Sequence, residues 1–177
     1  GVDWIDGCME SLVNQTHSPL EIILVDDGSS DGGEHKVEAW SKHASVTVIT
    51  QGTLGLSAGR MAALEASRGE WFAITDIDVR PEADWIQRML ESSGSREGEE
   101  VVAVTGRTIF GRADDVISRI RSIEIESKYR SRPRRTNLAN GPCSMFKRDS
   151  LLAIGGFDPS WYHAEDMEVS LKLIQDG

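Results

Sequence analysis

The run ITDIDV, Ile74 to Val79, ends an apolar, strand-like segment in two carboxylates, Asp76 and Asp78. Charges in such a place are costly unless they bind something. In extended backbone, residues two apart share a side, so both carboxylates can face one ligand. Carboxylate oxygens suit hard divalent cations. Mg²⁺ and its relatives are typically held by one or two carboxylates together with substrate phosphates. The plainer reading is that these aspartates turn the chain and cap the next helix. Residue types alone leave both readings open.

Three further stretches carry candidate chemistry. VDDGSSDG places Asp26 and Asp27 after a second apolar run, where a carboxylate can accept hydrogen bonds from the N–H and O–H groups of a base or ribose. GLSAGR, Gly55 to Arg60, keeps side chains small where a helix begins, and small residues let a flat ligand approach the backbone. It lacks the G-x-x-x-x-G-K-[ST] pattern of a phosphate loop. HAED, His163 to Asp166, opens the last helical pattern with the acidic pair Glu165-Asp166 and a histidine three residues before the aspartate.

These groups need a scaffold. Trp4, Ile5, Cys8, Met9, Leu12 and Val13 recur at helical spacing. Strands are expected over 21–25, 46–50, 71–75 and 101–105, and helices over 33–42, over 56–68 and from Pro81 to about Ser92. That alternation predicts an α/β fold with a doubly wound, mainly parallel sheet and helices on both faces. Such sheets bind ligands at the carboxyl ends of their strands, where two of these strands end in aspartates. The pattern opens on a helix, so a first strand ahead of Gly1 is expected to be missing from this fragment. After Thr105 the rhythm changes. A helix is expected over 114–129, with Val116, Ile120 and Ile123 on one side. An arginine-rich stretch around Pro133 follows, then a strand, a short helix and a Gly-Gly stop. The last helix should carry Met167, Leu171 and Ile174 on one face.

The 177 residues are enough for one domain with a real core, and the formal charge of −10 argues against a general nucleic-acid role. The two cysteines, Cys8 and Cys143, lack metal-site spacing and read as buried, reduced residues.

Together, SLVNQTHSPLEIILVDDGSSDGG, GLSAGRMAALEASRGEWFAITDID and GGFDPSWYHAEDMEVSLKLIQDG resemble, in order, three signatures of the family 2 glycosyltransferases, GT-A-fold enzymes that use nucleotide-diphospho-sugars. The resemblance implies a single GT-A domain fragment, 1–177, with a nucleotide-sugar-binding part (1–105) and an acceptor-side part (106–177). It implies that Asp27 recognises the base with Asp26 in support, and that Arg60 lies beside the base or phosphates. Asp76 would sit near the ribose and donor sugar, and Asp78 would be the main ligand of a Mn²⁺ or Mg²⁺ ion, with Asp76 secondary. Asp166 would be the general base and Glu165 a sugar or acceptor contact. Position alone, beside that acidic pair, makes His163 a candidate contact for the acceptor or the diphosphate and Trp161 a candidate sugar-stacking residue near the acceptor. The implied reaction is inverting, metal-dependent transfer from a UDP-sugar to the hydroxyl of a glycan, lipid-linked or small-molecule acceptor. The alternatives are a processive polysaccharide synthase and a nucleotidyltransferase. The expected location is cytoplasmic, with the inner face of the plasma membrane and a peripheral membrane contact as candidates.

Overall fold

The computed structural model describes residues 1–94, 100–111, 115–131, 133–139, 141–161 and 164–176. Alternation in the first part gives α1 (Val2–Val13), β1 (Ile22–Asp27), α2 (Gly33–Trp40), β2 (Val46–Gln51), α3 (Leu56–Ala66), β3 (Trp71–Ile74), α4 (Trp85–Ser92) and β4 (Ala103–Thr105). There follow α5 (Val116–Ser131), a 3-10 turn (Gly141–Cys143), β5 (Ser144–Lys147), α6 (Arg148–Ala153) and α7 (Glu165–Asp176). The expected α/β class holds. β1 and β2 pair in parallel, from Ile22 opposite Val46 to Asp27 opposite Gln51. β5 lies between β3 and β4 and is antiparallel to both, with Ile74 and Thr105 each opposite Ser144. Among the described residues, parallel pairing is thus confined to β1 and β2. A helix crosses over between those two, as parallel neighbours require, whereas β5 enters from the other end after the α5 excursion.

Two apolar clusters support the sheet. Ile5 and Met9 of α1, Ile22, Val37 and Val46 form one. Leu64 of α3, Phe72, Phe146, Leu151, Phe157 and Val169 of α7 belong to the other. Phe157 is 1% exposed; its ring meets Phe146 edge-on at 6.5 Å and Phe72 at 6.4 Å between centroids. Burying a side chain of that size contributes roughly 1.5–3 kcal/mol. A cavity of about 760 Å³ separates the strand groups and is lined by every residue of β1 and of β3. Neither strand has a partner on its other side among the described residues, so two open edges border one largely apolar gap.

Three local expectations change. Pro81 does not open α4, which begins at Trp85. The carbonyls of Glu82 and Ala83 instead accept from the Gln15 side chain and the Thr16 amide, and Gln15 Oε1 accepts from the Ile86 amide at 3.1 Å. The end of α1 therefore occupies groups that an earlier helical turn would use. The helix expected over 114–129 runs as α5, but it buries no residue: Val116, Ile120 and Ile123 are exposed. In α7, Met167, Leu171 and Ile174 are also exposed, and the buried face carries Glu165, Glu168, Val169 and Leu173. The buried face of α7 thus joins the apolar Val169 and Leu173 to a charged residue, Glu165.

Candidate functional site

The carboxyl ends of β1 and β3 and the amino ends of α3 and α7 supply the candidate residues. β1 ends in Asp26 and Asp27. Asp26 is buried, and its Oδ1 accepts the Ser29 amide at 3.0 Å, closing the turn. Gly28 follows at φ +78°, and a Cβ there would lie 2.7 Å from Thr53 Oγ1. Glycine is required both by the left-handed backbone and by that approach. Asp27 turns toward the glycine-rich loop. One oxygen accepts the Leu54 amide and Gln51 Nε2, each at 2.8 Å, and the other accepts the Gly55 amide at 2.8 Å. Burial pushes the Asp27 carboxyl up, but these donors outweigh it and hold the group below the ordinary carboxylate value. Asp27 therefore fixes the loop that starts α3.

From α3, Arg60 reaches into the site with only 8% of its surface exposed. Its guanidinium pairs with Glu165 of α7 through Nη1 and with Asp76 Oδ1 through Nη2 at 3.3 Å. Asp76, just past β3, is partly exposed. Burial pushes its carboxyl up, Arg60 opposes that, and the charges of Asp78 and Glu165 add to the upward shift. Asp78 is exposed and makes no hydrogen bond or ion pair among the described residues. Next to Glu165, Asp166 Oδ2 accepts the Gly141 amide at 3.1 Å, while its Oδ1 accepts the Met167 amide at 2.8 Å. A Cβ on Gly141 would stand 3.4 Å from Arg60 Nη2 and 3.6 Å from Asp166 Oδ2, so the guanidinium, this glycine and the Asp166 carboxylate are close neighbours. Ala164, immediately before α7, has φ +61°, a strained left-handed conformation that turns the chain into the helix.

The structure thus joins Arg60, Asp76 and Glu165 directly, with Asp166 held beside them by the Gly141 amide. Asp26, Asp27, Arg60 and Asp76 also line the 760 Å³ cavity, whereas Asp78 and Asp166 do not. Most of that cavity is the gap between β1 and β3, and these polar groups sit on its lining. Trp161 is 45% exposed, and its carbonyl accepts from Ser57 Oγ at 2.7 Å. His163 lies outside the described residues. Sequence reasoning missed Ser57, Gln51 and Gly141. Ser57 read only as one of the small residues opening α3, and no spacing rule shows which backbone group a small residue will meet.

Asp76 keeps one oxygen clear of Arg60, and Asp78 is exposed beside it. Two adjacent carboxylates with open oxygens match the donor set by which Mg²⁺ or Mn²⁺ is shared with a phosphate-bearing ligand. Among the described residues, no group of three or more His, Cys, Asp or Glu side chains converges on one point. Phosphate or water oxygens would therefore have to supply the remaining ligands.

Helix-flanked strands whose carboxyl ends present acids to a shared rim define an α/β ligand-binding domain of the nucleotide-binding kind. The protein-family model "Glycosyl transferase family 2" matches residues 2–155, and the chain belongs to that family. It is 41% identical over 92 residues to EpsH of Bacillus subtilis (strain 168), a protein named as a glycosyltransferase; the match covers 51% of this chain and 27% of EpsH. It is 27% identical over 175 residues to chondroitin synthase of Escherichia coli, covering 98% of this chain and 25% of the synthase. Among solved structures, the mannosyltransferase PcManGT from Pyrobaculum calidifontis, in complex with GDP-Man and Mn²⁺, superposes with a TM-score of 0.74 at 23% identity, covering 100% of this chain and 50% of that one. That likeness shows the GT-A fold. The matched stretch spans about a quarter of the length of EpsH and of chondroitin synthase.

Proposed function

We propose that this domain transfers a sugar from a nucleotide-diphospho-sugar to an acceptor hydroxyl, with inversion and with a divalent cation. The observation that carries the proposal is the bridge that Arg60 makes between Asp76, just past β3, and Glu165, the first residue of α7 and the neighbour in sequence of Asp166. Family membership supports a nucleotide-sugar donor. The related structures were determined with GDP-Man and Mn²⁺ in one case and with UDP in the Staphylococcus aureus protein TarS in another. The donor is taken to be a UDP-sugar, with a GDP-sugar as the comparison.

A diphosphate brings negative charge toward Asp76, Asp78, Glu165 and Asp166. Two like charges ~4 Å apart cost about 4 kcal/mol at an effective dielectric near 20. Asp78, with Asp76 secondary, would hold the cation, which when bound offsets that repulsion and acts as a Lewis acid toward the departing diphosphate. Asp26 and Asp27 shape the turn and loop on which the nucleotide would lie. Asp166 accepts the proton of the acceptor hydroxyl as that oxygen attacks the anomeric carbon. An ordinary aspartate is a weak base for an alcohol, so proton transfer accompanies attack rather than preceding it. The exposed indole of Trp161 offers an acceptor a flat apolar face beside α7.

The match to chondroitin synthase across 98% of the chain keeps a polymerising synthase as the second reading. Among the described residues no helix is long and apolar enough to cross a membrane. The proposed place of action is the inner face of the plasma membrane, where a lipid-linked acceptor would be met. The test is direct. The full-length polypeptide is incubated with UDP- and GDP-sugars, Mn²⁺ and glycan or lipid-linked acceptors, and product is followed by mass and anomeric configuration. An inverted glycoside is expected. Retention of configuration, or binding with no transfer or hydrolysis, would overturn the reading.

A further inference from the structure

The family resemblance puts Arg60 beside a base or phosphates, but the structure gives its guanidinium other work. It is 8% exposed and spans from Asp76 at the end of β3 to Glu165 at the start of α7. Ser57, three residues earlier on the same face of α3 and 2% exposed, donates to the Trp161 carbonyl at 2.7 Å. One helix face therefore holds both ends of the 161–165 segment. The pairing also agrees with the phase of α7, whose Val169 and Leu173 enter the core on the same face. Glu165, Val169 and Leu173, spaced by four, face inward, and Met167, Leu171 and Ile174 are left to solvent. A glutamate would not take that inward position without a partner for its charge. With Glu165 drawn in, Asp166 falls about 100° around the helix, where the Gly141 amide receives it.

We infer that Arg60 is a positioning residue, assisted by Ser57, that locks the amino end of α7, and with it Asp166, to the carboxyl end of β3. This rests on the proposed transferase reading for its effect on turnover, but the lock itself is independent of that reading. Arg60 sets the offset between donor-side and acceptor-side carboxylates through these two pairings.

The test uses the full-length polypeptide. Removing only one partner leaves a buried charge unpaired and threatens folding. The decisive variant is therefore the neutral pair Arg60→Gln with Glu165→Gln, alongside Arg60→Lys and Ser57→Ala. UDP and GDP binding with Mn²⁺ is measured by calorimetry, turnover by kcat, and order at the start of α7 by hydrogen exchange at the Met167 and Glu168 amides. In the paired variant, nucleotide affinity is expected to stay within about threefold while kcat falls by roughly 30-fold or more. Those amides should exchange about tenfold faster. Arg60→Lys, which keeps the charge but loses the fork, should recover part of kcat, and Ser57→Ala should lower it less. A tenfold loss of nucleotide affinity, or unchanged kcat and exchange, would overturn the inference. If the wild-type protein neither binds nucleotide nor transfers sugar, the function proposal fails, while the exchange measurement still decides the lock.

Discussion

The backbone amide of Gly141 donates to Oδ2 of Asp166 across 3.1 Å, so the loop that enters β5 aims a carboxylate on α7. Met167 secures the other oxygen from within the helix. Each oxygen retains a lone pair for a further donor. The Asp166→Asn variant cannot serve as a base, and its NH₂ end would face one of these two amides. Transfer is expected to fall roughly 10²- to 10⁴-fold, with UDP or GDP affinity changed by less than about threefold. Steady-state kinetics beside calorimetry checks this; near-normal turnover would remove Asp166 from the role of base.

Asp78 differs from its neighbours in having nothing to hold. Asp76 is tied to Arg60, whereas Asp78 is exposed and unpaired among the described residues. Asp78→Asn should leave thermal stability within about 0.5 kcal/mol, as for a surface change, yet remove most Mn²⁺-dependent activity. A chelator should abolish wild-type activity, and Mn²⁺ or Mg²⁺ should restore it. Metal titrations of donor binding in wild type and variant give the comparison. An Asp78→Asn protein with an unaltered metal response would move the cation site elsewhere.

Asp27 leads to a prediction in pH. Its folded-state value lies below that of the unfolded chain, about 3.9, because the Leu54 and Gly55 amides and Gln51 favour the carboxylate. The stabilisation is therefore fully present above the unfolded value and is lost as pH falls through the folded one. Asp27→Asn should cost about 1 kcal/mol at pH 7, a modest figure because the site is partly wet. The gap between variant and wild type should stay constant down to about pH 5 and close below about pH 4. Urea unfolding at several pH values reads it, and a gap that widens on acidification would contradict the assignment.

Much of this was legible beforehand because it depends on local pattern. β1 and β3 were visible as apolar runs ending in acids, and α3 as small residues opening a helix. Two features were hidden, each for a physical reason. The face of α7 could not be read because Met167, Leu171 and Ile174 suggest one stripe and Val169 and Leu173 another; the second is buried, and it also carries Glu165, paired with Arg60 105 positions away. Periodicity is blind to such a partner. The antiparallel place of β5 was equally hidden, since pairing between distant strands is fixed by their packing on Phe72, Phe146 and Phe157 and not by any local signal. The expected extra strand remains a proposal, for which the gap between the open edges of β1 and β3 offers a place. In a longer polypeptide whose added strand fills that gap, backbone amides facing it should exchange at least tenfold more slowly than in residues 1–177 alone. Equal exchange rates would show that no added strand pairs with those edges.

Cys8 lines that same gap and gives a chemical view of it. The thiol is 2% exposed and within 3.6 Å of the Asp76 carbonyl. Burial pushes its pKa up to about 11, helped by the charges of Asp78 and Asp76 and opposed by Arg80. Cys143 is also buried and raised, although Trp85 Nε1 donates to its sulfur at 3.2 Å. At pH 8 both groups are thiols, and the thiolate is the nucleophile in alkylation. Neither should label with a maleimide in the folded protein, and both should label on unfolding in urea, as mass spectrometry would count. Rapid labelling of Cys8 alone under native conditions would mean that α1 swings away from the β1–β3 gap without global unfolding. That opening would expose the backbone behind Asp76 and loosen the donor side of the site before it reached Asp166.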